Sequence, residues 1–417
     1  MNLLNTNFRK NVIAVILASL FSVSTAFQAS ADGITWISRT AAASNTWSSI
    51  AYGNGIFVAV SHDGNVMTSP DGITWTSRSA AAGNDWWSVT FGNGLFVAVS
   101  YDGSPNQIMT SPDGINWTSR TSVANNVKTS VTYGNGLFVS VSWTGATPRV
   151  ETSPDGITWT GRTAAAANLW RSVTYGNGLF VAVAENVVIG VAAANRVMTS
   201  PDGITWTLRA AAANNTWVSV TYGNGLFVAT SWADKGNIAN RVMTSPDGIT
   251  WTSRTAAADN YWSSVTYGNN LFVAVSTLDS GTISNRVMTS PDGINWTSLT
   301  AAVDDTWSSV TYANGLFVAV SGNGQVMTSG LFTLIADMTA KVQAAATAKA
   351  AADAQAAASA KAQQDHDNAL ALGIIALGIG AVEQGLSTLT LTATKKTAIS
   401  KSAVKNTKPV KKVVKKK

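Results

Sequence analysis

Between residues 47 and 329 the chain repeats one hydropathy pattern seven times. In the first copy, Trp47 to Tyr52 mixes apolar and small polar residues and ends at Gly53-Asn54-Gly55. Asn-Gly between two apolar runs is a strong hairpin signal. Ile56-Phe57-Val58-Ala59-Val60 follows and is apolar on both faces, as suits a strand covered on both sides. Val66-Met67-Thr68-Ser69 is a third strand, Pro70-Asp71-Gly72 turns the chain, and Ile73-Thr74-Trp75-Thr76 is a fourth. Small residues (Ser48, Ser49, Ala51) lie in the first strand and Trp75 in the last. That gradient fits four-stranded sheets that converge on an axis at one edge and diverge at the other.

The Trp that marks the fourth strand recurs at 36, 75, 117, 159, 206, 251 and 296. A period near 40–45 residues with four strands per unit is the signature of propeller blades. From that Trp to the start of the next first strand is always 11 residues. From the aromatic ending the first strand to the Ser ending the third, the excess over the shortest copy is 0, 3, 3, 8, 6, 6 and 0. All length variation therefore falls between strands two and three. The last unit stops at Gly330 after three strands, whereas residues 32–36 supply a fourth strand with nothing before it. The two ends complete one blade. The expectation is an all-β, seven-bladed β-propeller over residues 32–330, closed by an N-terminal strand that leaves no exposed edge at the seam.

Ser-Pro-Asp-Gly-Ile-Thr-Trp resembles the Asp-box (BNR) repeat of sialidase-like propellers, with Asp and Gly one residue closer than in that pattern. The resemblance spans about 70% of the chain and involves Asp32, Asp71, Asp113, Asp155, Asp202, Asp247 and Asp292. It implies a structural turn between the third and fourth strands, on the face opposite an active site. The Asp is expected to accept backbone hydrogen bonds within its own turn.

Composition adds what lies outside the ring. The chain has 417 residues, no Cys and two His, which excludes disulfides, thiolate chemistry and a His-rich centre. Residues 1–31 read as a signal peptide: Arg9 and Lys10, an apolar run from Val12 to Phe21, and Ala29-Ser30-Ala31. Residues 331–368 are Ala-rich and helical in composition, with Ile335, Met338, Val342 and Ala345 at coiled-coil-like spacing. Residues 369–391 form an apolar helix, read as either a membrane span or the core of an oligomer. Residues 392–417 are a Lys-rich, disordered tail. Residues 32–330 carry 13 basic and 17 acidic groups, so the basic character belongs to the C-terminus. No aromatic interleaving in that tail favours nucleic acid.

Chemistry is sparse. Outside the boxes, Glu151 stands where other units have Met, and Glu185 opens the longest loop. Lys128 replaces the Trp that begins the first strand elsewhere, and reads as a polar spot at the channel mouth or as drift. Arg149, Arg196, Arg241 and Arg286 share one repeat position. Blade geometry keeps them at least ~9 Å apart, which makes an arc of positive charge and not a clamp. Trp143 and Trp232 lie outside the repeated Trp positions, on the variable loops. The candidate rim is Tyr101, Trp143, Arg149, Glu185, Arg196, Trp232, Asp234, Arg241, Asp279 and Arg286, on the strand-two-to-three face beside blades 3 to 6. No catalytic, metal or cofactor site is expected. The expected function is an exported or surface-attached, non-catalytic propeller binding a glycan or protein, acidic patches included. A sialidase-like glycoside hydrolase and a purely structural assembly protein are the alternatives.

Overall fold

The structure is a computed structural model and describes residues 35–102, 105–144, 147–185, 195–232, 238–277, 285–329, 349–350, 353–365 and 367–370. Seven four-stranded antiparallel sheets form the seven blades of a β-propeller. Blade 1 comprises Trp47–Gly53, Ile56–Ser61, Asn65–Ser69 and Thr76–Ser79, the first strand innermost. Blades 2 to 6 repeat this order from Trp86, Val127, Leu169, Thr216 and Tyr261. Blade 7 takes Trp307–Ala313, Leu316–Ser321 and Gln325–Ser329 from one end of the ring and Trp36–Thr40 from the other. The closing pair runs from Trp36 opposite Ser329 to Thr40 opposite Gln325.

The outer strands start later than the sequence suggests. Ile73 and Thr74 donate their N–H groups to Asp71 Oδ1, both at 2.8 Å, and so belong to the turn. Trp75 folds back, giving its Nε1–H to the Gly72 carbonyl at 3.1 Å, and the strand begins at Thr76. The Ser69 hydroxyl bonds the same carboxylate at 2.9 Å. This turn recurs around Asp113, Asp155, Asp202, Asp247 and Asp292. In Asp155, Asp202 and Asp247 the amides of Thr158, Thr205 and Thr250, with those of the preceding Ile residues, hold the carboxyl below its usual range.

Adjacent blades are joined near the axis by a closed ring of hydrogen bonds. Ser49 Oγ accepts the N–H of Val89 on the next blade, and Ser88, Ser130, Ser172, Ser219 and Ser264 do the same to Val131, Val173, Val220, Val265 and Val310, at 3.1–3.2 Å. Ser309 to Ile50 closes the ring at 3.4 Å. At the other end of the first strand, a glycine receives the next blade's aromatic ring. A Cβ on Gly176 would lie 2.1 Å from Tyr222 Cγ. Between sheets, Trp47, Trp86, Trp170, Trp217, Trp262 and Trp307 are fully buried against the doubly apolar second strands.

Blade 3 solves this packing differently. Lys128 is neither a spot at the mouth nor drift: it is 0% exposed and its Nζ lies 2.7 Å from Glu151 Oε1. Glu151, 1% exposed, is likewise no rim residue. It also accepts from the Ser122 hydroxyl at 3.0 Å and the Ala124 N–H at 3.1 Å. Other blades have Ala, Trp and Met at these three positions. A buried ion pair with its hydrogen bonds thus stands in for a Trp–Met contact, and the charges are tolerated because each is matched. Burial lowers the Lys128 pKa, and Glu151 opposes that shift.

Residues 337–417 form a second unit. Its described residues, 349–350, 353–365 and 367–370, are helical and exposed, with a Lys349–Asp353 pair at 3.5 Å. No helix among the described residues is long and apolar enough to cross a membrane. The expected signal peptide (1–31), Asp32, the Lys-rich tail (392–417) and all but the first two residues of the apolar segment (369–391) lie outside the described residues.

Three outcomes follow from this packing. Gly176→Ala drives a methyl into the Tyr222 ring and is expected to cost ~1–3 kcal/mol, read as a lower midpoint in thermal melts. Glu151→Gln alone strands the Lys128 charge, for a loss of about 3–5 kcal/mol in urea unfolding, whereas Ser122→Ala with Lys128→Trp and Glu151→Met restores most of it. Finally, the box carboxyls bind protons less readily folded than unfolded. Their contribution is therefore complete above about pH 4 and is lost as the pH falls through the lower folded values. The melting temperature is expected to fall as the pH drops below about 4, and less steeply after Asp202→Asn and Asp247→Asn.

Candidate functional site

Two positions escape the uniformity of the repeat. One follows the start of the first strand and reads Ser48, Trp87, Thr129, Arg171, Val218, Ser263 and Ser308. The other follows the second strand's apolar run and reads His62, Tyr101, Trp143, Glu185, Trp232, Thr277 and Gly322. The first and second strands of a blade pair antiparallel, so both positions fall at the same end of the sheet, on the face away from the Asp-box turns. Because the first strand is innermost, they surround one mouth of the central channel.

Arg171 organises this mouth. Its Cζ lies 5.4 Å from the Trp87 ring, 5.7 Å from Trp143 and 4.9 Å from Trp232. These rings come from blades 2, 3 and 5, while Arg171 belongs to blade 4. Blades 2 and 4 are not neighbours, so the contact with Trp87 reaches past blade 3. Arg171 is only 9% exposed, and Nη2 pairs with Glu185 Oε1 at 3.1 Å. The other Glu185 oxygen accepts from Trp143 Nε1. Burial lowers the Arg171 pKa and Glu185 opposes this, leaving a guanidinium held by one carboxylate and three ring faces.

The aromatic surface continues beyond Arg171. Tyr101 stacks on Trp87 at 4.6 Å and meets Trp143 at 5.7 Å. His62 lies 4.6 Å from the far side of this row, against Trp87, and its Nδ1 bonds Asp85 Oδ1. Burial pushes the Tyr101 phenol up, Arg171 pulls it down, and Glu185 and Asp85 push it up again. It stays protonated, as a hydrogen-bond donor. Trp87, Tyr101, Trp143, Trp232 and His62 are all half-buried. In blades 6 and 7 the ring of side chains drops to Ser263, Thr277, Ser308 and Gly322.

Of the rim residues expected from sequence, Tyr101, Trp143, Glu185 and Trp232 come together here. The four arginines do not join them as an exposed arc. Arg196, Arg241 and Arg286 are 4%, 0% and 1% exposed, and Arg149 is half-buried. Each fastens a strand-two-to-three loop to the segment entering the next blade. Arg149 Nη1 donates to the Asn168 carbonyl at 2.9 Å, and Arg196 Nη2 to Asn214 Oδ1 at 2.8 Å. Arg241 pairs with Asp259, and Arg286 Nε with Asp304 at 2.8 Å. Gln107 occupies their position in blade 2 and bonds the Asn126 carbonyl at 2.6 Å. Asp234 and Asp279 lie outside the described residues.

Sequence reasoning missed Trp87, Arg171, His62 and Asp85. The signal was present: aligned on the residue after the second strand, Trp143 and Trp232 share one repeat position with His62, Tyr101 and Glu185. Among the described residues no cluster of three metal-ligating side chains occurs.

No protein-family model matches the chain, and comparison with curated proteins finds no match. Solved structures do match. Virginiamycin B lyase from Staphylococcus aureus superposes with a TM-score of 0.59 at 10% identity, over 71% of this chain and 98% of that one. YCF48 from Cyanidioschyzon merolae gives 0.52 at 13% identity, over 70% and 98%. A structure of YCF48 bound to D1 peptide gives 0.53 at 14% identity, over 70% and 96%. At these identities the shared property is the fold, a seven-bladed β-propeller. The resemblance to Asp-box repeats rests on the motif itself and on the turn it makes here.

Proposed function

We propose that the protein is a non-catalytic binding propeller that takes a glycan at the channel mouth. The observation that carries this reading is the half-buried row of Trp87, Tyr101, Trp143 and Trp232 around Arg171, edged by Glu185, Asp85 and His62. Ring faces suit the C–H faces of a pyranose, and polar groups beside them orient its hydroxyls. The low side at blades 6 and 7 gives an extended ligand a way in. The neighbours in fold include a lyase and a protein solved with a bound peptide, so ligand handling is familiar to this architecture. The N-terminal basic and apolar pattern supports export. The apolar segment and ten lysines of residues 369–417 support attachment to an envelope or assembly.

The glycosidase alternative is weaker. Such chemistry needs two carboxylates placed about one bond, one of them as an acid. Asp85 is committed to His62, and Glu185 to Arg171 and Trp143.

The full chain on a glycan array, with a fluorogenic glycoside panel alongside, tests the proposal. Binding without turnover is expected, and Trp87→Ala with Trp143→Ala should weaken it at least ~10-fold. Arg241→Ala should instead lower the melting temperature and leave binding unchanged. A blank array, or turnover of a glycoside, overturns the reading.

A further inference from the structure

The mouth contains two buried N–H donors without acceptors among the described residues: Arg171 Nε and Trp232 Nε1. They belong to side chains in contact, with the Arg171 Cζ 4.9 Å from the Trp232 ring. A buried donor left unpaired is destabilising, and native structures rarely keep one without reason. Two of them on side chains in contact, amid half-buried indole faces, mark where a ligand's acceptor would be received.

The charge around them decides what sort of acceptor. Arg171 is already matched by Glu185. Asp85, with Asp102 2.6 Å from its N–H, adds further carboxylates on this side. The other basic residues described on this face are already engaged: Lys128, Arg241 and Arg286 by Glu151, Asp259 and Asp304, Arg149 by the Trp143 and Asn168 carbonyls, and Arg196 by Asn214. With the Arg171 charge met by Glu185, and Asp85 and Asp102 on the same side, an anionic group gains little beside Arg171. A neutral carbonyl is the better partner. An amide carbonyl adds two further matches, a plane that stacks on an indole and, in an acetamido group, a methyl that buries against it.

We infer that the glycan bound at the mouth carries an N-acetylated amino sugar, whose acetamido carbonyl accepts from Arg171 Nε and Trp232 Nε1. The inference rests on the glycan reading above and sharpens it. Trp232→Phe is the informative substitution, since it keeps a ring against Arg171 and removes only the N–H.

The experiment is calorimetric titration of the full chain with four trisaccharides: triacetylchitotriose, its deacetylated form, cellotriose and sialyllactose. Triacetylchitotriose is expected to bind at least ~10-fold tighter than cellotriose or the deacetylated sugar. Trp232→Phe should reduce its affinity about 5–10-fold, as loss of one hydrogen bond implies, while cellotriose changes less than about 2-fold. Saturation-transfer NMR on the unmodified protein gives a check that needs no variant: the acetyl methyl should receive the strongest transfer. Equal binding of cellotriose, an unchanged Trp232→Phe variant of normal melting temperature, or preference for the acidic sugar overturns the acetamido assignment and leaves glycan binding standing. Failure of every sugar to bind, or capture of peptides instead, removes both.

Discussion

The inner edge of each blade is the constraint on which the ring depends. A first strand has a partner on one side only, and its remaining N–H groups face a narrow channel. An unpaired amide there would cost a sizeable part of a hydrogen bond's worth in every blade. The structure meets that need with a serine from the preceding blade, seven times over, so that the same bond that satisfies the edge also ties the blades together. Close approach is possible because six of the seven first strands end in a glycine under the next blade's aromatic ring. At the seam the glycine is replaced by Ala313, and there the serine bond is longest, 3.4 Å against 3.1–3.2 Å elsewhere.

This constraint explains where the repeat is uniform and where it is free. Serine, glycine, the buried Trp and the box turn recur because each must satisfy a neighbour as well as its own blade. The arginines before the third strands follow the same logic, as bridges from one blade's loop to the next blade's entry. The positions at the mouth carry His62, Trp87, Tyr101, Trp143, Arg171, Glu185 and Trp232, whose partners are chiefly one another: Glu185 meets both Arg171 of its own blade and Trp143 of the blade before.

Blade 3 shows what divergence inside the ring requires. Lys128 could enter the core only with Glu151 opposite and Ser122 beside it, three departures from the repeat that meet at one point. At the mouth the buried Arg171 is matched in the same way by Glu185, while the rings around it remain partly exposed.

Much of the fold was legible in the sequence: the period, the hairpin signals at Asn-Gly, the doubly apolar second strands, the place of every insertion and the pairing of the two ends. These follow from local turn chemistry and from strand periodicity, which act over a few residues. Loop length varies on one side only, and the structure places the unrepeated residues of the mouth on that same side. What the sequence could not decide was which unusual residues meet. Repeated arginines look like an exposed arc until each is seen to reach the segment entering the next blade, and Arg171 looks like any first-strand residue until the curvature of the ring brings blade 2 within reach of blade 4. The Arg171–Trp87 contact joins residues 84 positions apart because successive blades curve round one channel, and burial of a charge depends on a partner that only the packing of strands and blades supplies.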